Sequence, residues 1–274
     1  MVTSAGCPGI NATKQAAPLA SVLAAHGYTG TVVGIDYYCG DGGGVSIDNA
    51  GPAGYLPPPT LYDANSDIKR LGYDLAWFIW KNYTSHGTVV SIASHSMGGL
   101  IARWALYGVQ NHLSNAFPPY LYVQDVVTLS TPHDGLGDVN NAGLTAAQYN
   151  AVWCGTYTEC TEMTPGSAFL NELHQSGMNP QPNYPTDWTA IGASASCDIM
   201  TFTEASDMGD VHKVDYTASS GPTCYNHSSY TTDTSTATDA PVSYRGPGQS
   251  GYTVIGNGDH SLQWVWKALT SASW

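Results

Sequence analysis

The sequence predicts an α/β fold, a mainly parallel central sheet with helices on both faces, and three observations carry that expectation. Helical and strand-like segments alternate along the chain, as parallel strands joined by crossover helices require. The stretch ASHSMGGL, Ala93–Leu100, lies between an apolar run and a helical pattern, so a strand, a sharp turn and a helix follow one another there. With 274 residues, the chain is long enough to bury a substantial core, and nothing forces a second domain, so one domain over residues 1–274 is expected.

The elements follow in order. Ala16–His26 (AAPLASVLAAH) has helical spacing and stops at Gly27, a natural C-terminal cap. Thr31–Asp36 (TVVGID) then reads as a buried strand, and Gly40–Pro59 as a Gly- and Pro-rich loop. Ala64–Lys81 places Ile68, Leu71, Leu75, Phe78 and Ile79 on one helical face. Thr88–Ile92 is the strand that leads to Ser96, and Gly98–Gln110 the helix that leaves it. Val123–Leu129 (VQDVVTL), Trp188–Ile191 (WTAI) and Tyr252–Ile255 (YTVI) are further strands, the last followed by a helix over Ser261–Ser271 that buries Leu262, Val265, Trp266 and Leu269. A Ser/Thr/Gly-rich excursion occupies about 201–251, poorest in pattern from Thr217 to Gly251, and is expected to be pinned by Cys224.

Composition excludes some partners. Eight Lys and Arg against 21 Asp and Glu give a formal charge of −13, which disfavours nucleic acid and anionic membrane surfaces and leaves a neutral substrate as the better fit. No apolar run approaches the ~20 residues that cross a bilayer, so stable membrane insertion is not expected. Met1–Gly9 is polar and small, and any export signal is expected to have been removed. Six cysteines (Cys7, Cys39, Cys154, Cys160, Cys197, Cys224) lack zinc-type C-x-x-C spacing, and an even count in a Lys-poor chain points to disulfides and a secreted protein. Short loops and strand ends favour Cys7–Cys39, Cys154–Cys160 and Cys197–Cys224. Three Asn-x-Ser/Thr triplets, at Asn11, Asn82 and Asn226, decide nothing in so Thr/Ser-rich a chain.

Cofactor chemistry finds no motif. Asp198, Asp207, Asp210 and His212 could surround a cation, yet neither an EF-hand loop nor H-E-x-x-H is present. GDGGG, Gly40–Gly44, is followed by Pro-rich loop and lacks the G-K-[ST] ending of a phosphate loop. No cofactor and no metal are expected.

The chemistry points to Ser96. A serine hydroxyl is a poor nucleophile until a base takes its proton, and a strand-to-helix elbow achieves this by holding the side chain out toward a histidine. The elbow pattern is G-x-S-x-G; here Ser94 replaces the first glycine, a change that adds only a hydroxymethyl group, while Gly98 and Gly99 supply small residues on the other side. An ordinary helix N-cap at Ser94 or Ser96 explains the same letters. What favours a nucleophile is the following helix, whose positive end lies at Ser96 and whose first N–H, that of Met97, points where an oxyanion would form.

HSMGGLIARWAL, from His95, resembles the elbow and following helix of secreted α/β-hydrolase lipases and esterases, and LSTPHDG, Leu129–Gly135, is similar to a strand end that follows in them. The resemblance spans about Gly27–Trp266. It implies an α/β-hydrolase-type fold and a Ser-His-Asp triad in the chain order serine, acid, histidine. In GASASCDIM, Gly192–Met200, the acid's slot falls on Asp198, with Asp207 as the alternative. In YTVIGNGDHSLQW, the histidine's slot falls on His260, just past the last expected strand; His95, His133, His212 and His227 read as structural, although His133 could line the cleft.

The implied activity is carboxylic ester hydrolysis through an acyl-enzyme, on neutral acyl esters or lipids. An acyltransferase or thioesterase would use the same triad, and a hydrolase scaffold that only binds is the other rival. The family's second oxyanion donor comes from a loop after an early strand. Here only MVTSAGCPGINATKQ precedes the first helix, so the fold is expected to be shortened at its N-terminus, with an N–H among Val2–Ala5 completing the hole.

Overall fold

The computed structural model describes residues 11–38, 42–59, 61–113, 116–136, 157–175, 185–194, 198–218, 224–234, 241–256 and 258–270. Helix α1 runs Ala12–Ala25, earlier than its apolar spacing begins, because Asn11 caps it and accepts Lys14 N–H at 2.8 Å. Only Ile35–Asp36 of the expected first strand is regular. This β1 pairs in parallel with β2, Val45–Ser46, inside the region expected to be loop throughout. Helix α2, Ile68–Asn82, is capped by Asp67, and the five apolar residues expected on its inner face are all buried.

The central sheet holds β3 (Val90–His95), β4 (Val123–Leu129), β5 (Asp187–Ala193), β6 (His212–Tyr216), β7 (Val242–Arg245) and β8 (Thr253–Ile255), side by side in that order. β3 to β6 are parallel, whereas β7 runs against β6, and β8 runs against β7 and so in the same direction as β6. The sheet is thus mainly parallel, with an antiparallel end that the sequence did not announce. Helix α3, Met97–Gln110, returns from β3 and packs on α2. The remaining helices are α4 (Thr158–Glu162), α5 (Ala168–Gln175), α6 (Phe202–Ser206), α7 (Ser229–Thr232) and α8 (Ser261–Thr270).

Two apolar clusters lie on opposite faces of this sheet. On one, Val126 and Ala190 pack in a cluster with Leu71 of α2 and Leu100 and Trp104 of α3. On the other, Val127, Leu129, Ile191, Val214 and Val242 gather with Trp264 and Val265 of α8 and with Leu19 of α1. Alternate residues of a strand face opposite ways, so Val126 and Val127 belong to different layers. The result is a sheet held at the centre with helices on both faces, and the ends of β3 to β6 all deliver their loops to one edge.

The stretch expected to be an excursion, about 201–251, contains α6, β6, α7 and β7 as well as loop. Cys160 and Cys224 each stand in a disulfide. Their expected partners Cys154 and Cys197, together with Cys7 and Cys39, lie outside the described residues. Among the described residues no helix is long and apolar enough to cross a membrane.

Candidate active site

β3 ends at His95, and Ser96 turns the chain with φ 56° and ψ −136°. That backbone is costly for a residue with a side chain, about 1–3 kcal/mol, and persists only where its surroundings enforce it. They do so here through two hydrogen bonds: Ser96 N–H donates to Leu129 O at 2.9 Å, and Thr131 Oγ1 donates to Ser96 O at 2.8 Å. Thr131 in turn needs room. A Cβ at Gly99 would sit 2.1 Å from Thr131 Oγ1, whereas one at Gly98 would meet only Ser94 Cβ, at 3.8 Å. Gly99 is therefore the glycine that the elbow requires, and Ser94 fits without strain, its hydroxyl donating to Val127 O at 3.2 Å.

Ser96 stands at the N-cap position of α3 yet makes no capping hydrogen bond with its side chain. Its hydroxyl faces a histidine instead. That histidine is His227, whose Nε2 lies 3.0 Å from Ser96 Oγ. His227 Nδ1 lies 3.1 Å from Asp198 Oδ1. A carboxylate only accepts, so the Nδ1 nitrogen carries the proton and Nε2 offers its lone pair to the serine.

Asp198 is held on both oxygens. Oδ1 also accepts Ile199 N–H at 2.7 Å, and Oδ2 accepts the Ser130 hydroxyl at 2.5 Å. Burial alone would raise this carboxyl, but the hydrogen bond and charge of His227 and the hydrogen bond from Ser130 outweigh it and hold it below the usual carboxylate range. Ser130 Oγ is also 3.1 Å from His227 Nδ1, and its backbone, like that of Ser96, has a left-handed φ, 46°. The residue after β4 thus touches both the acid and the histidine, a role its place in LSTPHDG did not reveal.

The expected pairing of Ser96 with His260 is not formed. His260 is buried at the start of α8, where its Nδ1 meets Tyr225 OH at 2.8 Å and Asp233 Oδ2 at 2.6 Å. Ser261 adds to the same join, its N–H donating to Tyr225 OH and its hydroxyl to Tyr230 O. His260 therefore fastens the segment that carries His227 at two points and does not reach the serine. The physical reason lies in the sheet. The slot for the histidine follows β6, the strand beside the acid-bearing β5, while YTVI lies two strands further out, where β8 is separated from β6 by the antiparallel β7.

Other candidates fall elsewhere. Asp207 lies 3.6 Å from His174 and away from His227. His133 is fully buried between Arg103 and Thr128, and burial together with the Arg103 charge holds its imidazole well below the ordinary histidine range. The cation set Asp198, Asp207, Asp210 and His212 does not gather, since Asp210 accepts Gly248 N–H and His212 faces Asp187. Among the described residues one other group could close on a metal: Asp134, His174 and Asp207, with ligand atoms within 4.8 Å of one another. His174 Nε2 there is already at hydrogen-bond distance, 3.0 Å, from His133 O.

Met97 supplies the first amide of α3, and first-turn amides have no acceptor within their own helix. The second donor, expected among Val2–Ala5, lies outside the described residues.

Residues 60–170 match the model of the family described as "Putative serine esterase (DUF676)". The chain is similar to serine esterases. The matched span holds α2, β3, the elbow, α3 and β4, and stops before Asp198 and His227, so it supports a serine hydrolase acting on esters at the nucleophile and leaves acid and base to the geometry. The elbow, the mainly parallel sheet and the two helical layers make the fold α/β-hydrolase-type.

Solved structures that align with the chain include two lipases. Bacillus licheniformis lipase BlEst2 in mature form is 22% identical over 48% of this chain and 50% of its own length, with a TM-score of 0.33. Aspergillus fumigatus lipase B is 17% identical over 53% of this chain and 31% of its own, also at 0.33. The aligned part thus spans half or less of either lipase. No curated protein matches the chain.

Proposed function

We propose that the protein hydrolyses carboxylic esters through an acyl-enzyme, with Ser96 as nucleophile, His227 as general base and then acid, and Asp198 as the group that orients His227. One observation supports this most: an unbroken line of contacts from Ser96 Oγ through the two ring nitrogens of His227 to an Asp198 carboxylate that is itself fixed by Ser130. As Ser96 Oγ bonds to the ester carbonyl carbon, its proton passes to His227 Nε2. The carbonyl oxygen becomes an anion facing Met97 N–H. Collapse breaks the bond to the alcohol, which leaves with the proton from Nε2. Water then attacks the acyl-enzyme by the same route, and the acid is released.

The substrate class we propose is neutral acyl esters, lipids included, in keeping with a formal charge of −13 on the chain. The test is chemical: a neutral alkyl p-nitrophenyl phosphonate is expected to add one phosphonyl group to Ser96 and to remove p-nitrophenyl ester hydrolysis in proportion. Full labelling elsewhere, or full activity after Ser96 is labelled, would end the proposal.

We also place the protein outside the cytoplasm as a single disulfide-bonded domain. Peptide mapping without reduction is expected to recover Cys154–Cys160 and Cys197–Cys224, the latter tying the residue before Asp198 to the segment that carries His227. Free thiols at Cys154 and Cys197 would overturn both pairings.

A further inference from the structure

We infer that His95, the residue before the nucleophile, is a positioning residue that seats His227 against Ser96; the inference rests on the roles proposed above for Ser96 and His227. His95 Nε2 lies 2.7 Å from the His227 backbone carbonyl. Its ring lies against the ring of His227, with centroids 4.5 Å apart and planes tilted by 43°. Two adjacent residues of one elbow thus hold the same histidine, Ser96 by the side chain and His95 by the main chain.

The His227 carbonyl matters because of the turn in which it stands. Asn226 Oδ1 accepts Ser228 N–H at 3.0 Å and Ser229 N–H at 3.2 Å, and Ser229 N–H also donates to Asn226 O, so residues 226–229 form one compact unit. Tyr225 and Asp233 fix that unit to His260 at its two ends. Within that unit the His227 carbonyl meets His95 Nε2, and this contact fixes the main chain from which the imidazole reaches Ser96. A carbonyl only accepts, so His95 must hold its proton on Nε2. Burial, then the neighbouring His227, lowers the His95 imidazole to about 4. At neutral pH it is therefore an uncharged donor, and it places no positive charge beside the imidazolium that His227 becomes during turnover.

Three substitutions separate the donor from the ring. His95→Ala removes both, His95→Phe keeps an aromatic ring against His227 without a donor, and His95→Gln returns an amide N–H near the position of Nε2. For p-nitrophenyl butyrate, kcat is expected to fall about 10- to 100-fold in the Ala and Phe variants with KM within about 3-fold, and to recover to within about 5-fold of the parent in the Gln variant. A substitution that merely loosened the core would not distinguish Phe from Gln in this way. In the parent at pH 7, ring ¹⁵N spectra are expected to read His95 as the Nε2-protonated tautomer, which needs no substrate. A parent protein without ester hydrolysis but with that tautomer would count against the esterase reading and leave the seating of His227 supported. A Phe variant at parental kcat, a Gln variant no better than Phe, or an Nδ1-protonated His95 would overturn the inference.

Discussion

Ser96→Ala and His227→Ala are each expected to lower kcat for p-nitrophenyl ester hydrolysis by about 10⁶-fold, and the double substitution to lower it no further. The two side chains perform one act, since the Ser96 proton has no acceptor without His227 Nε2 and the Nε2 lone pair has no proton to take without Ser96. What remains is catalysis by binding and by the oxyanion donor. His260→Ala should behave differently. It removes the fastening between Tyr225, Asp233 and α8, so thermal stability should drop along with part of the activity, and the remaining rate should stay far above that of His227→Ala. Steady-state kinetics and thermal melts on the four variants decide it: a His227→Ala enzyme that worked at near the parental rate, beside a dead but folded His260→Ala, would return the base to His260.

Asp198→Asn is expected to cost about 10⁴-fold in kcat with little change in KM, because an amide facing Nδ1 favours the tautomer that turns a proton toward Ser96. Asp207→Asn should change kcat only a few-fold, since its carboxylate faces His174 on the surface. The carboxyl of Asp198 also links stability to pH. Its folded value is depressed, so the stability it adds is present above the unfolded value of about 3.9 and is lost as pH falls through the folded value. Urea midpoints of parent and Asp198→Asn should accordingly converge on acidification below about pH 4. Midpoints that diverged there, or equal rates for the Asp198 and Asp207 variants, would remove Asp198 from its role.

Much of this architecture is legible in the sequence, and the places where it is not have particular causes. The apolar face of α2, the elbow and the runs VQDVVTL and WTAI report themselves through simple periodicity, and Asp198 follows from its place after β5. β6, HKVDY, does not, because two of its five residues are charged. One of them, Asp215, is buried, accepts Ser194 N–H at 2.7 Å and is raised by burial to about 6. A polar group satisfied from a neighbouring loop is invisible to a pattern that counts apolar residues. With β6 unread, YTVI reads as the strand that precedes the histidine, and the slot falls on His260 instead of His227. The usable clue was distance along the chain: a histidine within 30 residues after Asp198, behind a five-residue alternation, fits a single crossover. Ser130 left no clue, since its role depends on a left-handed backbone that the sequence does not encode visibly.

The crowding of Thr131 on Gly99 bears on how such a site can drift. The familiar signature places its glycines two positions before and two after the nucleophile, yet the contacts around Ser94 and Gly98 would admit a β-carbon at either. The sterically constrained position is the third after Ser96, where a methyl group would push Thr131 off the Ser96 carbonyl and release the turn. For this chain the informative spelling is a nucleophile with glycine three residues on and a hydroxyl-bearing residue two positions past the end of the next strand. Relatives that had lost both flanking glycines would pass unnoticed by a search for the older pattern while keeping the same elbow.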